Sequence, residues 1–349
     1  MIIKYLYQFV LFSILILGTL FSACRNETSK EVEQEATTTI SYQKVAGQTM
    51  GTTYNVTYAD SLQRNFKNNF DQLLVALNKE VNTYDSTSVI SQFNQAAAGE
   101  FDVSRAEDLV ANFVMARSVY ERTQAAFDPT VAPLVNYWGF GYTPKRKVTA
   151  VDSSKIAKMM QSVGLDKITL NEDKTTLTKS VADVKLDLGA IAKGYGVDVL
   201  GLFLEKNNVQ NYYVEIGGEV RVRGKNPKGS LWRIGINVPK EGAAINEFQT
   251  IIELDNQGLA TSGNYRQFYE VDGNKYSHTI SPFTGFPERN RLLSASVFAP
   301  DCTTADAYAT AFMVMGIDKA LALANELEEV SAYFIVGKED GTLQVIESE

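Results

Sequence analysis

Asp306 and Thr310 stand four residues apart in Thr304-Ala305-Asp306-Ala307-Tyr308-Ala309-Thr310-Ala311, which puts both oxygens on one face of a helix. A carboxylate with a hydroxyl is hard-oxygen ligation, suited to Mg²⁺ and poorly suited to zinc. The surrounding alanines let another backbone or a ligand come close. The same pair also fits a plainer role, with Asp306 answering a helix dipole and Thr310 bonding back to a carbonyl. Spacing alone favours the plainer role.

A second candidate is Asp187-Leu188-Gly189-Ala190-Ile191-Ala192-Lys193-Gly194-Tyr195-Gly196. It reads as a strand ending in Asp187, a glycine turn and then a helix. Such a turn offers amides and carbonyls to a phosphate or its metal. The G-x-G-x-x-G spacing is absent, which argues against Rossmann-type dinucleotide binding; a plain strand-to-helix turn with Lys193 on the surface is the alternative. His278 is the sole histidine of the chain. It is the one side chain whose unperturbed pKa sits near neutrality, so a neutral-pH general base is His278 by default. Ala126-Phe127-Asp128-Pro129 and Tyr137-Trp138-Gly139-Phe140 bring aromatics near a carboxylate, which also suits core packing. Glu215-Ile216-Gly217-Gly218-Glu219 and Thr261-Ser262-Gly263-Asn264-Tyr265 read as glycine turns that could approach a ligand or simply close hairpins.

These residues must be positioned by strands and helices in alternation. Strands are expected over 40–46 and 52–58 around a Met50-Gly51-Thr52 turn. Asp60 is expected to cap a helix carrying Leu62, Phe66, Leu73, Leu77 and Val81. Ser104 and Glu107 form a capping-box signature for a second helix, and Asp128-Pro129 opens a third. Another helix is expected from about 188 to 206. The second half is strand-dense, over 211–216, 219–223, 231–236, 249–254, 266–271, 275–280 and 293–299. Helices over 303–315 and 317–327 and a strand near 332–336 follow. Hairpin-linked strands with interspersed helices predict an α+β fold with largely antiparallel sheets.

The N-terminus differs from the rest. Lys4 precedes a mainly apolar run from Leu6 to Leu20, then Phe21-Ser22-Ala23-Cys24. A short apolar stretch with a cationic start and small residues before a cut reads as a secretory signal. The cysteine after Ser-Ala resembles a bacterial lipoprotein signal, with Phe21 where leucine is usual. The expected organisation is a signal peptide at 1–23, a lipid-anchored tether at 24–39 starting on acylated Cys24, and one catalytic unit at 40–349. With Cys24 lipidated, Cys302 has no disulfide partner and is expected to be a buried small hydrophobe. A formal net charge of -8 argues against general nucleic-acid binding.

Taken in order, the motifs resemble the ApbE family of FAD:protein FMN transferases. The resemblance rests on Met50-Gly51-Thr52-Thr53-Tyr54, Thr83-Tyr84-Asp85 with Ser88 and Ile90, and Phe127-Asp128-Pro129-Thr130 with Trp138-Gly139-Phe140. It continues through Asp187-Leu188-Gly189-Ala190 with Lys193-Gly194, Ile216-Gly217-Gly218, Thr261-Ser262-Gly263, His278 to Pro282, and Ala305-Asp306-Ala307 with Ala309-Thr310. Each is weak alone; their succession is specific.

The resemblance implies a T-fold-like architecture of mixed sheets and packed helices. It implies a Mg²⁺ site from Asp306, Thr310 and the backbone carbonyl of Ala190, which reverses the preference drawn from spacing. FAD contacts are implied for Met50, Tyr84, Ala126, Phe127, Asp128, Asp187, Lys193 and Ile280, with His278 catalytic. The implied reaction moves FMN from FAD to a Thr or Ser hydroxyl of an acceptor protein and releases AMP. The implied acceptor is a subunit of an extracytoplasmic electron-transfer complex, and the implied location is the bacterial cell envelope, anchored by lipid on the periplasmic side. Ser281 stands where the family usually has Asp, and Val89 where Glu is common. The competing expectations are a Mg²⁺-dependent FAD pyrophosphatase and a non-enzymatic FAD-binding lipoprotein.

Overall fold

Met50 and Gly51 both take positive φ, 48° and 71°, the left-handed pair of a tight hairpin. They join β1 (Tyr42–Thr49) to β2 (Thr52–Ala59) in antiparallel register, with Thr49 opposite Thr52. The computed structural model describes residues 41–349 except 144–147, 149, 241, 245, 265–267 and 272–273. The expected signal segment, Cys24 and the tether lie outside the described residues. Ile40–Glu349 forms one unit.

Six further strands extend the first hairpin: β6 (Tyr212–Ile216), β7 (Glu219–Arg223), β10 (Gly258–Gly263), β13 (Leu292–Ala299), β14 (Ser331–Gly337) and β15 (Leu343–Glu347). The sheet order is β1-β2-β6-β7-β10-β13-β14-β15, with antiparallel neighbours throughout. Smaller sheets pair β3 (Gly99–Asp102) and β4 (Ile168–Leu170) with β5 (Thr176–Lys179), and β8 (Trp232–Asn237) with β9 (Phe248–Leu254). A last hairpin joins β11 (Phe268–Val271) to β12 (Asn274–Ser277). The α+β expectation with largely antiparallel sheets is met.

The helices are α1 (Lys67–Val81), α2 (Val89–Gln95), α3 (Glu107–Arg122), α4 (Ala132–Tyr137), α5 (Ser153–Met160), α6 (Ala192–Lys206), α7 (Cys302–Met315) and α8 (Ile317–Glu326). α7 is buried almost all round, from Cys302 and Ala305 to Phe312 and Val314, so it is a core helix with no solvent face. Its alanines let β10 and β13 lie against it. A Cβ on Gly258 of β10 would sit 2.5 Å from the Cys302 nitrogen, so strand and helix terminus meet only because that residue is glycine. Cys302 is itself fully buried, as expected of a small hydrophobe. Among the described residues no helix is long and apolar enough to cross a membrane.

Several local expectations are corrected. Asp60 caps no helix: its carboxylate accepts from the Arg64 backbone at 2.7 Å and from the Arg64 guanidinium, holding a turn before α1. Leu62 in that turn is 71% exposed; Leu77 and Val81 are buried as expected, Phe66 is buried just before the helix, and Phe70 and Leu74 complete the inner face of α1. Ser104 does not close a capping box, because its N–H donates to Asp102 Oδ1 at 2.8 Å and Ala106 takes the N-cap position. Glu107 and Asp108 in the first turn of α3 answer the dipole there. The third helix starts at Ala132 with Pro133, not Pro129, in its first turn. Asp187 belongs to no strand. Thr261-Ser262-Gly263 is no turn; it belongs to β10, inside the main sheet.

Candidate functional site

The start of α6 and the middle of α7 meet at a close contact. A Cβ on Gly194 would lie 2.4 Å from the Cys302 carbonyl oxygen and 2.8 Å from Asp306 Cβ, so only glycine fits. The Gly194 N–H, a first-turn donor of α6 with no intrahelical acceptor, donates to Asp306 Oδ2 at 3.0 Å. The Ala190 carbonyl stays outside the helical ladder, at the first turn where α6 leaves the chain.

Asp306 is 3% exposed. Lys193 Nζ lies 3.6 Å from Asp306 Oδ2 and 2.9 Å from Glu219 Oε1. Burial pulls the Lys193 ammonium down, but Asp306 and Glu219 more than offset it, so the lysine stays charged. Burial pushes both carboxylates above their usual range, against the pull of Lys193. Thr310, one turn on, has its hydroxyl 3.3 Å from Ser262 Oγ on β10. A carboxylate, a hydroxyl and an uncommitted carbonyl are oxygen donors of the kind a small hard cation takes. Among the described residues no three His, Cys, Asp or Glu gather as a metal group, so a cation here would depend on that mixed donor set.

Asp198 of α6 fixes where α7 begins. Its carboxylate accepts from the Cys302 N–H at 3.0 Å, the Thr303 N–H at 2.8 Å and the Thr303 hydroxyl. Arg221 Nη1 pairs with it at 2.8 Å and Arg221 Nη2 reaches Glu205 at 3.2 Å. The α7 terminus is therefore capped twice, by its own Asp301 to the Thr304 N–H at 2.7 Å and by Asp198 from the neighbouring helix. Asp198→Ala leaves Arg221 without its nearest anion and two amides without acceptors. It is expected to destabilise the fold by about 3–5 kcal/mol in urea unfolding; a loss near zero would show that this network is not what holds α7.

β10 connects this cluster to His278. Beyond Ser262 the chain reaches Asn264, whose side-chain oxygen accepts from the Thr279 hydroxyl at 2.6 Å, one residue after His278. His278 follows β12, and its ring packs edge-on to Phe140 with centroids 6.4 Å apart. A ladder of rings holds the β11–β12 hairpin in place. Phe140 stacks on Tyr269 at 5.3 Å, Tyr269 on Tyr276 at 5.4 Å, and Tyr276 on Trp138 at 5.3 Å. Each such pair contributes about 0.5–1.5 kcal/mol beyond its burial. Trp138 also donates to the Gly285 carbonyl at 2.8 Å, tying the turn after His278 to the same base. Ile280 is buried and bridges Pro287 across that turn. Ser281 is buried there too, its N–H donating to the Phe286 carbonyl at 2.9 Å.

The remaining residues form a second group beside the Ala190 turn. The Asp187 N–H donates to the Pro129 carbonyl at 2.8 Å, joining the 126–130 segment to the approach of α6. Asp187 Oδ1 accepts from Gly189 at 2.9 Å. Asp128 is buried, accepting from the Thr130 N–H at 2.8 Å and its hydroxyl at 2.6 Å; burial still raises its pKa. Gln124 and Ala125 both take positive φ, 51° and 67°, before the buried Ala126 and Phe127. Such a run in non-glycine residues stores strain of the kind found at ligand clamps. Tyr84 is 73% exposed and meets Tyr142 edge-on at 6.1 Å. Burial and the Asp187 carboxylate push the Tyr142 phenol up, against an Asn136 hydrogen bond. Met50 reaches α6 from the first hairpin, its Cε 3.3 Å from where a Gly196 Cβ would stand.

Sequence reasoning picked out Asp306, Thr310, Ala190, Lys193 and His278 but gave no role to Glu219, Ser262, Asn264 or Asp198. Alternation along β7 puts Glu219 on the face of Arg221 and Arg223, opposite buried Val220 and Val222, so the strand pattern carries no signal that Glu219 is buried.

This is the frame of an α+β enzyme, and it is shared with flavin transferases of known structure. The chain belongs to the ApbE family, whose family model matches residues 50–334. The flavin transferase ApbE from Vibrio cholerae superposes with a TM-score of 0.80 at 36% identity, covering 89% of this chain and 98% of that one. The apo flavinyl transferase ApbE of Pseudomonas stutzeri gives 0.79 at 33% identity, covering 89% and 95%. By sequence, the FAD:protein FMN transferase of Haemophilus influenzae is 38% identical over 304 residues, 85% of this chain and 87% of its own.

Proposed function

We propose that this chain is an FAD:protein FMN transferase that moves FMN from FAD to a Thr or Ser hydroxyl of an acceptor protein, with AMP as the leaving group. The observation that carries the reading is the Gly194 N–H bonded to the Asp306 carboxylate, which joins the start of α6 just after Ala190 to the helix of Asp306 and Thr310 in a chain of this family. Asp306, Thr310 and Ala190 would hold Mg²⁺, which when bound neutralises charge on the pyrophosphate. Lys193 supplies a further fixed cation for phosphate. Met50, Tyr84, Ala126, Phe127, Asp128, Asp187 and Ile280 line the remaining flavin nucleotide contacts. Exposed Tyr84 offers a ring face to the flavin.

His278 accepts the proton of the acceptor hydroxyl. That oxygen forms a bond to the FMN-side phosphorus as the bond from that phosphorus to the AMP oxygen breaks, and AMP departs with the electron pair. Holding the hydroxyl and phosphorus in line is where much of the acceleration arises. The basic-then-apolar segment ending at Cys24 supports a lipid-anchored enzyme on the periplasmic side of a bacterial envelope, acting on a subunit of an electron-transfer complex.

Product analysis after incubation with FAD and Mg²⁺, with and without an acceptor domain, tests the reaction type. The expected result is AMP release that depends on the acceptor, with no matching free FMN. Equal FMN and AMP without acceptor would make the protein a pyrophosphatase, and FAD left intact in both arms would make it a carrier.

A further inference from the structure

Glu219 has an unusual environment for a residue with no assigned task. It is 5% exposed, at the first position of β7 after the Gly217-Gly218 turn. One oxygen pairs with Lys193 at 2.9 Å, while Oε2 is buried with no hydrogen-bond partner among the described residues. A buried carboxylate with one oxygen unsatisfied is a poor stabiliser of a fold, since desolvation costs more than a single ion pair returns. Its presence points to function.

Lys193 stands between two carboxylates and is closer to Glu219 than to Asp306, 2.9 Å against 3.6 Å. A lone ammonium beside a lone buried Asp306 would close onto it and compete directly with a divalent cation for the same oxygens. We infer that Glu219 is a positioning residue that draws Lys193 aside, leaving the Asp306 carboxylate open to the cation. Glu219 then acts through Lys193 and not as a ligand. This role rests on the cation reading of Asp306, Thr310 and Ala190 given above.

Mn²⁺ binding to the purified protein, followed by the electron paramagnetic resonance signal of the free ion, tests it without reference to turnover. Glu219→Gln keeps the shape and removes the charge that attracts Lys193. It is expected to weaken Mn²⁺ binding by about tenfold, as loss of a residue supporting a metal ligand commonly does. Adding Lys193→Met removes the competitor, and the double variant is expected to recover near wild-type affinity. Unchanged affinity in Glu219→Gln overturns the role. So does a double variant as weak as the single one, which is what a ligand role or a merely structural role predicts. Failure of the wild-type protein itself to bind Mn²⁺ would instead remove the cation reading, and with it this consequence.

Discussion

Replacing His278 with alanine is expected to lower FMN transfer by about 10²–10⁴-fold, the usual contribution of a positioned general base. FAD binding should persist, because of the residues assigned to hold the nucleotide only Ile280 shares the segment of His278. The geometry behind this expectation is specific. His278 leaves a hairpin anchored by the Phe140, Tyr269, Tyr276 and Trp138 stack, and its neighbour Thr279 is tied to Asn264 at the end of β10. The same strand supports Thr310 through Ser262. The segment of the base and Thr310 are thus both tied by side-chain hydrogen bonds to β10 and the residue that follows it. Transfer followed by the flavin fluorescence of the acceptor on a gel, with FAD binding measured separately by fluorescence quenching, distinguishes the roles. Loss of FAD binding together with transfer would make His278 a ligand contact. A rate equal to wild type would remove it from the mechanism.

Asp306→Asn is expected to lower activity by about 10³-fold or more, because the several kcal/mol of charge stabilisation that a cation supplies depends on that carboxylate. The amide keeps the side-chain volume, and its oxygen can still accept from the Gly194 N–H, so the α6–α7 contact should survive. A thermal midpoint close to wild type would confirm that the fold is intact. Raising Mg²⁺ should recover little of the lost activity. An Asn variant that transfers FMN normally at low Mg²⁺ would contradict the assignment of Asp306.

How much of this could be read from the sequence depends on the distance over which each feature is determined. The spacing of Asp306 and Thr310 is local, and α7 forms where it was expected. Which of two roles the pair plays is not local. It turns on an amide 112 positions away, at Gly194, and on how closely two helices approach. Thr261-Ser262-Gly263 misled for a related reason: small residues that resemble a turn lie inside β10, paired with β13, with Ser262 in reach of Thr310. Asp60 and Ser104 carry valid capping chemistry but sit in turns, where Asp60 bonds Arg64 and Ser104 bonds Asp102, and neither caps a helix. Glu219 was visible only as the end of a glycine hairpin. Its inward orientation follows from sheet register, which pattern alone does not reveal.

The claim that the site transfers FMN to protein is tested most directly by the intact mass of an acceptor domain after incubation with the enzyme, FAD and Mg²⁺, followed by peptide mapping. The account predicts an acceptor heavier by one FMN less water, with the added mass on a single Thr or Ser and AMP formed in equal amount. An acceptor of unchanged mass beside free FMN and AMP would contradict it.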